Sequence, residues 1–270
     1  MKTKHLLGML LLFLCTACLT GCSDDDLEPL SLHQIEGHSI QLYYGTQGGV
    51  TIIGGEGEYS FICESPLLKG EMTQPNYILF EPLGVGTAVV TIKDRSGQTY
   101  ELNVDIVYRT ENYMVSAIDV SVEGEELTEG EQKRLREEVL NSSLVQPGGF
   151  YQFVYTEGLD TSSSSGNQTT VKGMAVVYPR KGEKGQKGTF EQTVCYTQEK
   201  YFSHYEYVIH YKGSTHSYIA TYLKDSSTKT SVLPEYISFA FVEDVTEQFS
   251  ADYPKVKKVE MILRIDQKMR

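Results

Sequence analysis

Tyr100-Glu101-Leu102-Asn103-Val104-Asp105-Ile106 alternates apolar and polar residues without a break. Successive side chains of a strand point to opposite faces. This stretch therefore puts Tyr100, Leu102, Val104 and Ile106 on one buried face and three polar residues on a wet one. The same period recurs upstream, in Ile40, Leu42 and Tyr44, then Val50 and Ile52, then Tyr59, Phe61 and Cys63. Ile78 with Phe80, and Ala88, Val90 and Ile92, continue it. Gly48-Gly49, Gly54-Gly55-Glu56-Gly57 and Asp94-Arg95-Ser96-Gly97 interrupt the runs with residues that turn the chain cheaply. Short half-buried strands at this spacing predict a β-sandwich over residues 30–108.

The end of that region carries a resemblance. Leu83-Gly84-Val85-Gly86, the strand Thr87 to Lys93, the Asp94-x-x-Gly97 turn and the last alternating strand are similar to the close of a bacterial Ig-like domain. The resemblance implies a spacer or adhesion module. The chain has no tryptophan and this region no cysteine pair, so the usual immunoglobulin markers are missing. Gly84-x-Gly86 is turn chemistry and not a nucleotide fingerprint, because it lacks a third glycine and precedes a strand where a dinucleotide turn opens a helix.

Working outward toward the C-terminus, Arg109 to Asn112 reads as a junction and residues 112–270 as a second domain. Tyr113 to Val122 is a candidate strand. Thr128-Glu129-Gly130-Glu131 is a capping-box pattern that opens a helix to about Leu140, with Leu135 and Val139 on its apolar side. Alternating runs follow at Phe150–Thr156, Val171–Tyr178, Thr189–Thr197, Ser203–Tyr211, Ser217–Leu223 and Tyr236–Val242, with a serine-rich loop at residues 161–167 and a glycine-rich one at 181–188. Asp244 and Glu247 open a second helix that Pro254 ends, and Val259, Met261, Leu263 and Ile265 face inward on a last strand. The expected fold class is mainly β: an Ig-like β-sandwich, then an α+β domain dominated by antiparallel sheet with two helices.

The N-terminus sets the address. Lys2 and Lys4 precede an apolar run, Leu6 to Leu14, too short to span a bilayer, which takes about 20 residues. Leu19-Thr20-Gly21-Cys22 resembles the bacterial lipoprotein lipobox. That resemblance implies a signal peptide over residues 1–21, cleavage before Cys22, and a diacylglycerol on its sulfur. Several acyl chains hold a membrane firmly where one binds only marginally. Ser23-Asp24-Asp25-Asp26 is similar to the acidic export signal of Bacteroidota surface lipoproteins, within a tether spanning residues 22–29. It implies the outer face of the outer membrane; a periplasm-facing lipoprotein is the alternative.

The formal charge of the chain is −12, and the signal carries two lysines and no acid, so the mature chain stands at −14. Such acidity offers no electrostatic footprint for nucleic acid. Of five cysteines, Cys15 and Cys18 leave with the signal and Cys22 takes lipid, so Cys63 and Cys195 remain, one in each domain. No disulfide framework supports either fold, and each relies on its core.

Chemistry is sparse. His204, Glu206 and His210 share one face of a candidate strand, with Tyr205, Tyr207, Ile209 and Tyr211 on the other. His204 and His210 are six residues apart, roughly 20 Å in a strand, too far to share an ion. A three-residue turn would set His216 opposite His210, which makes those two the weak candidates for a metal; a solvated sheet face is the simpler reading. There is no Gly-x-Ser-x-Gly elbow and no His-Glu-x-x-His. No catalytic residue and no cofactor beyond the lipid on Cys22 is expected. Nineteen tyrosines serve packing or, on an exposed face, an amphipathic platform. The expected function is a non-catalytic binding, adhesion or envelope-assembly module with a protein or glycan partner. A glycan-binding accessory of polysaccharide uptake is the alternative, and an extracytoplasmic hydrolase is third.

Overall fold

The computed structural model describes residues 28–124, 127–157, 169–199, 201–224 and 237–267. It is mainly β and antiparallel, with two helices among the described residues. The chain divides into two compact units, Met1–Leu42 with Gln47–Ile106, and Tyr43–Thr46 with Val107–Arg270.

The first unit is a β-sandwich. Its strands are β1 (Ser31–Leu32), β2 (Ser39–Tyr43), β3 (Gly48–Ile53), β4 (Ser60–Cys63), β5 (Leu68–Gln74), β6 (Tyr77–Pro82), β7 (Gly86–Lys93) and β8 (Thr99–Val107). One sheet runs β1-β3-β6-β5 and the other β2-β8-β7-β4. The period-two reading holds residue by residue: Tyr100, Leu102, Val104 and Ile106 are buried and the residues between them exposed. Val50, Ile52, Ile78, Phe80, Val90 and Ile92 are buried with them. Cys63 is half-buried, and its Sγ donates to the Leu68 carbonyl at 3.5 Å.

The Asp94-x-x-Gly97 turn holds two loops together. Asp94 Oδ1 accepts the Gln98 N–H at 2.8 Å and Oδ2 accepts the Glu56 N–H at 2.9 Å, while Gly97 takes the positive φ of 93°. Burial pushes this carboxyl up, but the hydrogen bonds from Glu56, Ser96, Gln98 and Gly97 outweigh it and hold it below its ordinary range.

The second unit is a closed antiparallel barrel. Its strands are β9 (Arg109–Gly124), β10 (Phe150–Glu157), β11 (Thr170–Tyr178), β12 (Gln186–Tyr196), β13 (Phe202–Tyr211), β14 (Ser214–Lys224), β15 (Ile237–Asp244) and β16 (Val256–Gln267). Each pairs with the next, and β16 returns to β9, from Val256↔Gly124 to Gln267↔Tyr113. Bulges at Tyr155/Glu157, Cys195/Tyr196 and Arg264/Ile265 bend the strands as closure requires. The expected antiparallel sheet is therefore present, and it has no free edge among the described residues.

An eight-stranded barrel is just wide enough to be filled by side chains. Here the filling is aromatic. Tyr151, Phe153, Tyr155, Phe190, Tyr207, Tyr218 and Phe241 are each less than 2% exposed. Phe153 sits among five rings, at centroid distances of 4.6 Å to Phe190, 5.0 Å to Tyr207, 5.6 Å to Tyr113, 6.0 Å to Tyr151 and 6.4 Å to Phe241. The outer face carries Lys172, Glu191, Glu206 and His210, a surface suited to water and the reverse of a membrane barrel. Among the described residues no helix is long and apolar enough to cross a membrane.

Helix α1 (Glu129–Ser142) begins as its sequence dictates. Thr128 Oγ1 accepts the Glu131 N–H at 3.3 Å, and Glu131 Oε2 accepts the Thr128 N–H at 2.8 Å. Leu135 and Val139 are buried in the same cluster as the barrel interior. Helix α2 (Thr246–Phe249) is a single turn, with the Thr246 N–H donated to Asp244 Oδ1 at 2.9 Å. Val245 and Tyr253 join the core, and the Tyr253 hydroxyl donates to Glu138 Oε2 at 3.0 Å.

Candidate functional site

Cys22, Ser23, Asp24, Asp25 and Asp26 lie outside the described residues, as does the serine-rich stretch 161–167. The two histidines do not meet, which corrects the expected juxtaposition. The β13–β14 hairpin turns on two residues, Lys212 and Gly213, at φ 50° and 82°, not on three. One residue of register flips every side chain to the other face. His210 thus pairs with Thr215 and points outward, its Nδ1 3.0 Å from Thr215 Oγ1. His216 pairs with Ile209 and points inward.

Inside, His216 Nδ1 lies 2.9 Å from Glu243 Oε1 and its Nε2 3.1 Å from Ser214 Oγ. A serine, a histidine and a carboxylate in that order resemble a hydrolytic relay, but the hydrogen-bond direction is wrong. The Ser214 hydroxyl donates its single proton to the Tyr211 carbonyl at 2.7 Å, so it can only accept from His216. A nucleophilic serine must donate to its base. The cluster instead extends into the core through a Tyr218–Tyr151 hydroxyl pair at 3.1 Å. Burial raises both phenols above their ordinary range and keeps them neutral. Glu243 Oε2 is the buried side-chain oxygen without a hydrogen-bond partner among the described residues.

The opposite end of the barrel holds a second polar cluster. Antiparallel order gathers there the starts of β9, β11, β13 and β15 and the ends of β10, β12, β14 and β16. Arg109 and Glu111 form an ion pair on β9, and the Arg109 guanidinium lies 5.1 Å above the Tyr155 ring. Glu111 Oε2 accepts two buried hydroxyls, from Tyr113 at 2.6 Å and Tyr155 at 2.7 Å. Tyr207, at 3.3 Å from the Tyr113 hydroxyl, accepts from Gln192 Nε2 at 2.6 Å. Burial, with the carboxylate and neighbouring phenols, pushes the Tyr113 and Tyr155 hydroxyls well above the usual range, so they remain donors.

Above this floor stand aromatic rings that the barrel does not bury. Tyr222 is 57% exposed, Tyr196 47% and Phe202 43%. Phe202 packs on half-buried Tyr205 at 4.8 Å and Tyr222 on Phe239 at 5.3 Å. Tyr196 pairs directly with Phe202 across β12 and β13. The mouth thus carries exposed aromatics on three adjacent strands, β12, β13 and β14, together with the Arg109–Glu111 pair on β9.

Arg109 to Asn112, expected as a junction, is the start of β9 and supplies the mouth's charged pair. The signal was present, because Glu111, Tyr113 and Val115 keep period two. A groove on the outer face of β10–β12 is lined by Glu157, Lys172, Met174 and Glu191 over Gly173 and Gly188, with no histidine in it. Cys195 is no poised nucleophile: burial pushes its thiol up, and the Glu206 carboxylate adds to the shift.

The chain matches no protein-family profile, and no curated protein matches it. Among solved structures it is similar to domains 5–6 of the S-layer protein SbsC, at 12% identity, over 67% of this chain and 97% of that one, with a TM-score of 0.23. A score that low carries no argument about this chain's fold or role.

Proposed function

We propose that this protein is a Bacteroidota-type surface lipoprotein, held in the outer membrane by lipid on Cys22 and carried to the exterior by Ser23 to Asp26. In this reading it is a non-catalytic binding module, and its binding face is the barrel mouth. The observation that carries the proposal is the exposure of Tyr196, Phe202 and Tyr222 on three adjacent strands at one end of a barrel whose interior is already filled. Burying large rings stabilises by roughly 1.5–3 kcal/mol each, so leaving three of them wet at one rim marks a surface that meets something else. The reversed Ser214 hydrogen bond supports the non-catalytic part.

A closed barrel has no free edge, so it cannot recruit a partner by adding a strand. Flat rings beside hydrogen-bonding Arg109 and Glu111 suit a glycan, with an apolar sugar face on a ring and hydroxyls on the charged pair. A protein partner is the second reading, favoured by exposed Tyr201 just before β13.

Affinity electrophoresis of the mature protein against a panel of polysaccharides tests this, with pull-down from envelope extract alongside. Retardation by one polysaccharide is expected, with Tyr222→Ala and Phe202→Ala each weakening it about tenfold, the equivalent of about 1.4 kcal/mol, while thermal unfolding is unchanged. Retardation that both variants retain in full would remove the mouth from the account. Capture of one protein and no glycan, lost in the same variants, would keep the mouth and change the ligand class.

A further inference from the structure

The outer face of the barrel carries a second cluster, on β12 and β13 just below the mouth. Cys195 on β12 lies directly opposite His204 on β13, and Thr193 opposite Glu206, so the thiol, the imidazole and the carboxylate project from the same side of one strand pair. One ligand atom from each of Cys195, His204 and Glu206 lies within 4.8 Å of the others. We propose that these three residues form a binding site for a zinc-class divalent cation.

Four features support the assignment. The first is the donor set. Sulfur, imidazole nitrogen and carboxylate oxygen suit zinc and its neighbours, whereas calcium and magnesium take oxygen alone. The second is spacing. Bonds of about 2.0–2.3 Å in a tetrahedral shell put ligand atoms about 3.4–3.8 Å apart. His204 Nε2 and Glu206 Oε1 already stand at 3.5 Å.

The third is the support of the imidazole. Ser203 Oγ lies 3.0 Å from His204 Nδ1 and fixes the ring from behind, so Nε2 is the nitrogen presented to Glu206. Ligating histidines are held in this way by a partner on the other ring nitrogen. Ser203 is the extra residue of the bulge between Cys195 and Tyr196, so the irregularity in the ladder is what supplies that partner. The fourth is the burial gradient. Cys195 is 6% exposed, the His204 side chain 25% and Glu206 53%. The site is closed at the sulfur and open at the carboxylate, which leaves a fourth position for water or an exogenous ligand.

Cobalt(II) is the probe. The mature protein, purified in detergent and stripped with a chelator, is titrated with cobalt(II) chloride and followed by absorption. A thiolate-to-cobalt charge-transfer band saturating at one ion per chain is expected, and zinc chloride should erase it. Cys195→Ser should abolish the band and Cys63→Ser should leave it. Ser203→Ala should weaken binding about tenfold with the band intact. Glu206→Gln, at an exposed position that folding does not depend on, should weaken binding at least as much and guards against a misfolded Cys195 variant. Absence of the band in the unaltered protein, its persistence in Cys195→Ser, or its loss in Cys63→Ser would overturn the assignment.

Discussion

Phe153→Ala is expected to lower the unfolding free energy of the barrel by about 3–5 kcal/mol, the range for removing a large ring from a closed core. The residue is fully buried and touches five other rings, all within the 4.5–7 Å range at which aromatic pairs add to simple burial. The barrel cannot collapse onto the gap, because its radius is set by hydrogen bonds around a closed ladder. A domain's whole stability is about 5–15 kcal/mol, so the loss takes a large share of it. Denaturant unfolding followed by near-ultraviolet circular dichroism should show the barrel transition moving to lower denaturant, with the sandwich transition in place. Phe202→Ala, at the exposed rim, should move neither by more than about 0.5 kcal/mol. A loss below 1 kcal/mol for Phe153→Ala would show that the stacked rings do not carry the core.

Glu111→Ala should cost about 2–4 kcal/mol, because it leaves the buried hydroxyls of Tyr113 and Tyr155 without their acceptor, at about 1–3 kcal/mol for each unpaired group. Tyr113 keeps a weaker alternative in Tyr207, 3.3 Å away, so Tyr155 should bear the larger share. Glu111→Gln separates this from the ion pair. An amide oxygen can still accept both hydroxyls, while the bond to half-exposed Arg109 is lost, and exposed pairs contribute only about 0–1 kcal/mol. Most of the stability should therefore return in Glu111→Gln. If the two variants are equally unstable, the guanidinium and not the phenols holds the floor of the mouth.

Much of this architecture is legible in the chain. Period two in Tyr100 to Ile106 and Val259 to Ile265 assigns buried faces that the structure reproduces. The Thr128–Glu131 capping box and the Asp94–Gly97 turn were readable because they are local: their partners lie within a few residues. Closure of the barrel was not readable. It rests on β16 returning to β9, over a hundred residues upstream, and alternation gives a strand its faces without naming its neighbour. The His210–His216 error has the same source, since one residue fewer in a turn reversed the facing of a strand. The Cys195–His204 juxtaposition is not legible in the chain for a related reason: His204 and Glu206 are near neighbours in sequence, and Cys195 comes opposite only once β12 and β13 are in register.

The proposed display of a binding module at the cell exterior is tested most directly by protease treatment of intact cells, followed by immunoblotting for the chain. Wild-type protein should be cut in intact cells. The variant with Asp24, Asp25 and Asp26 changed to alanine should be cut only after lysis, and Cys22→Ala should leave the membrane fraction altogether. Wild-type protein that survives in intact cells and is cut only after lysis would contradict surface display, and would place the anchor on a membrane face turned toward the periplasm.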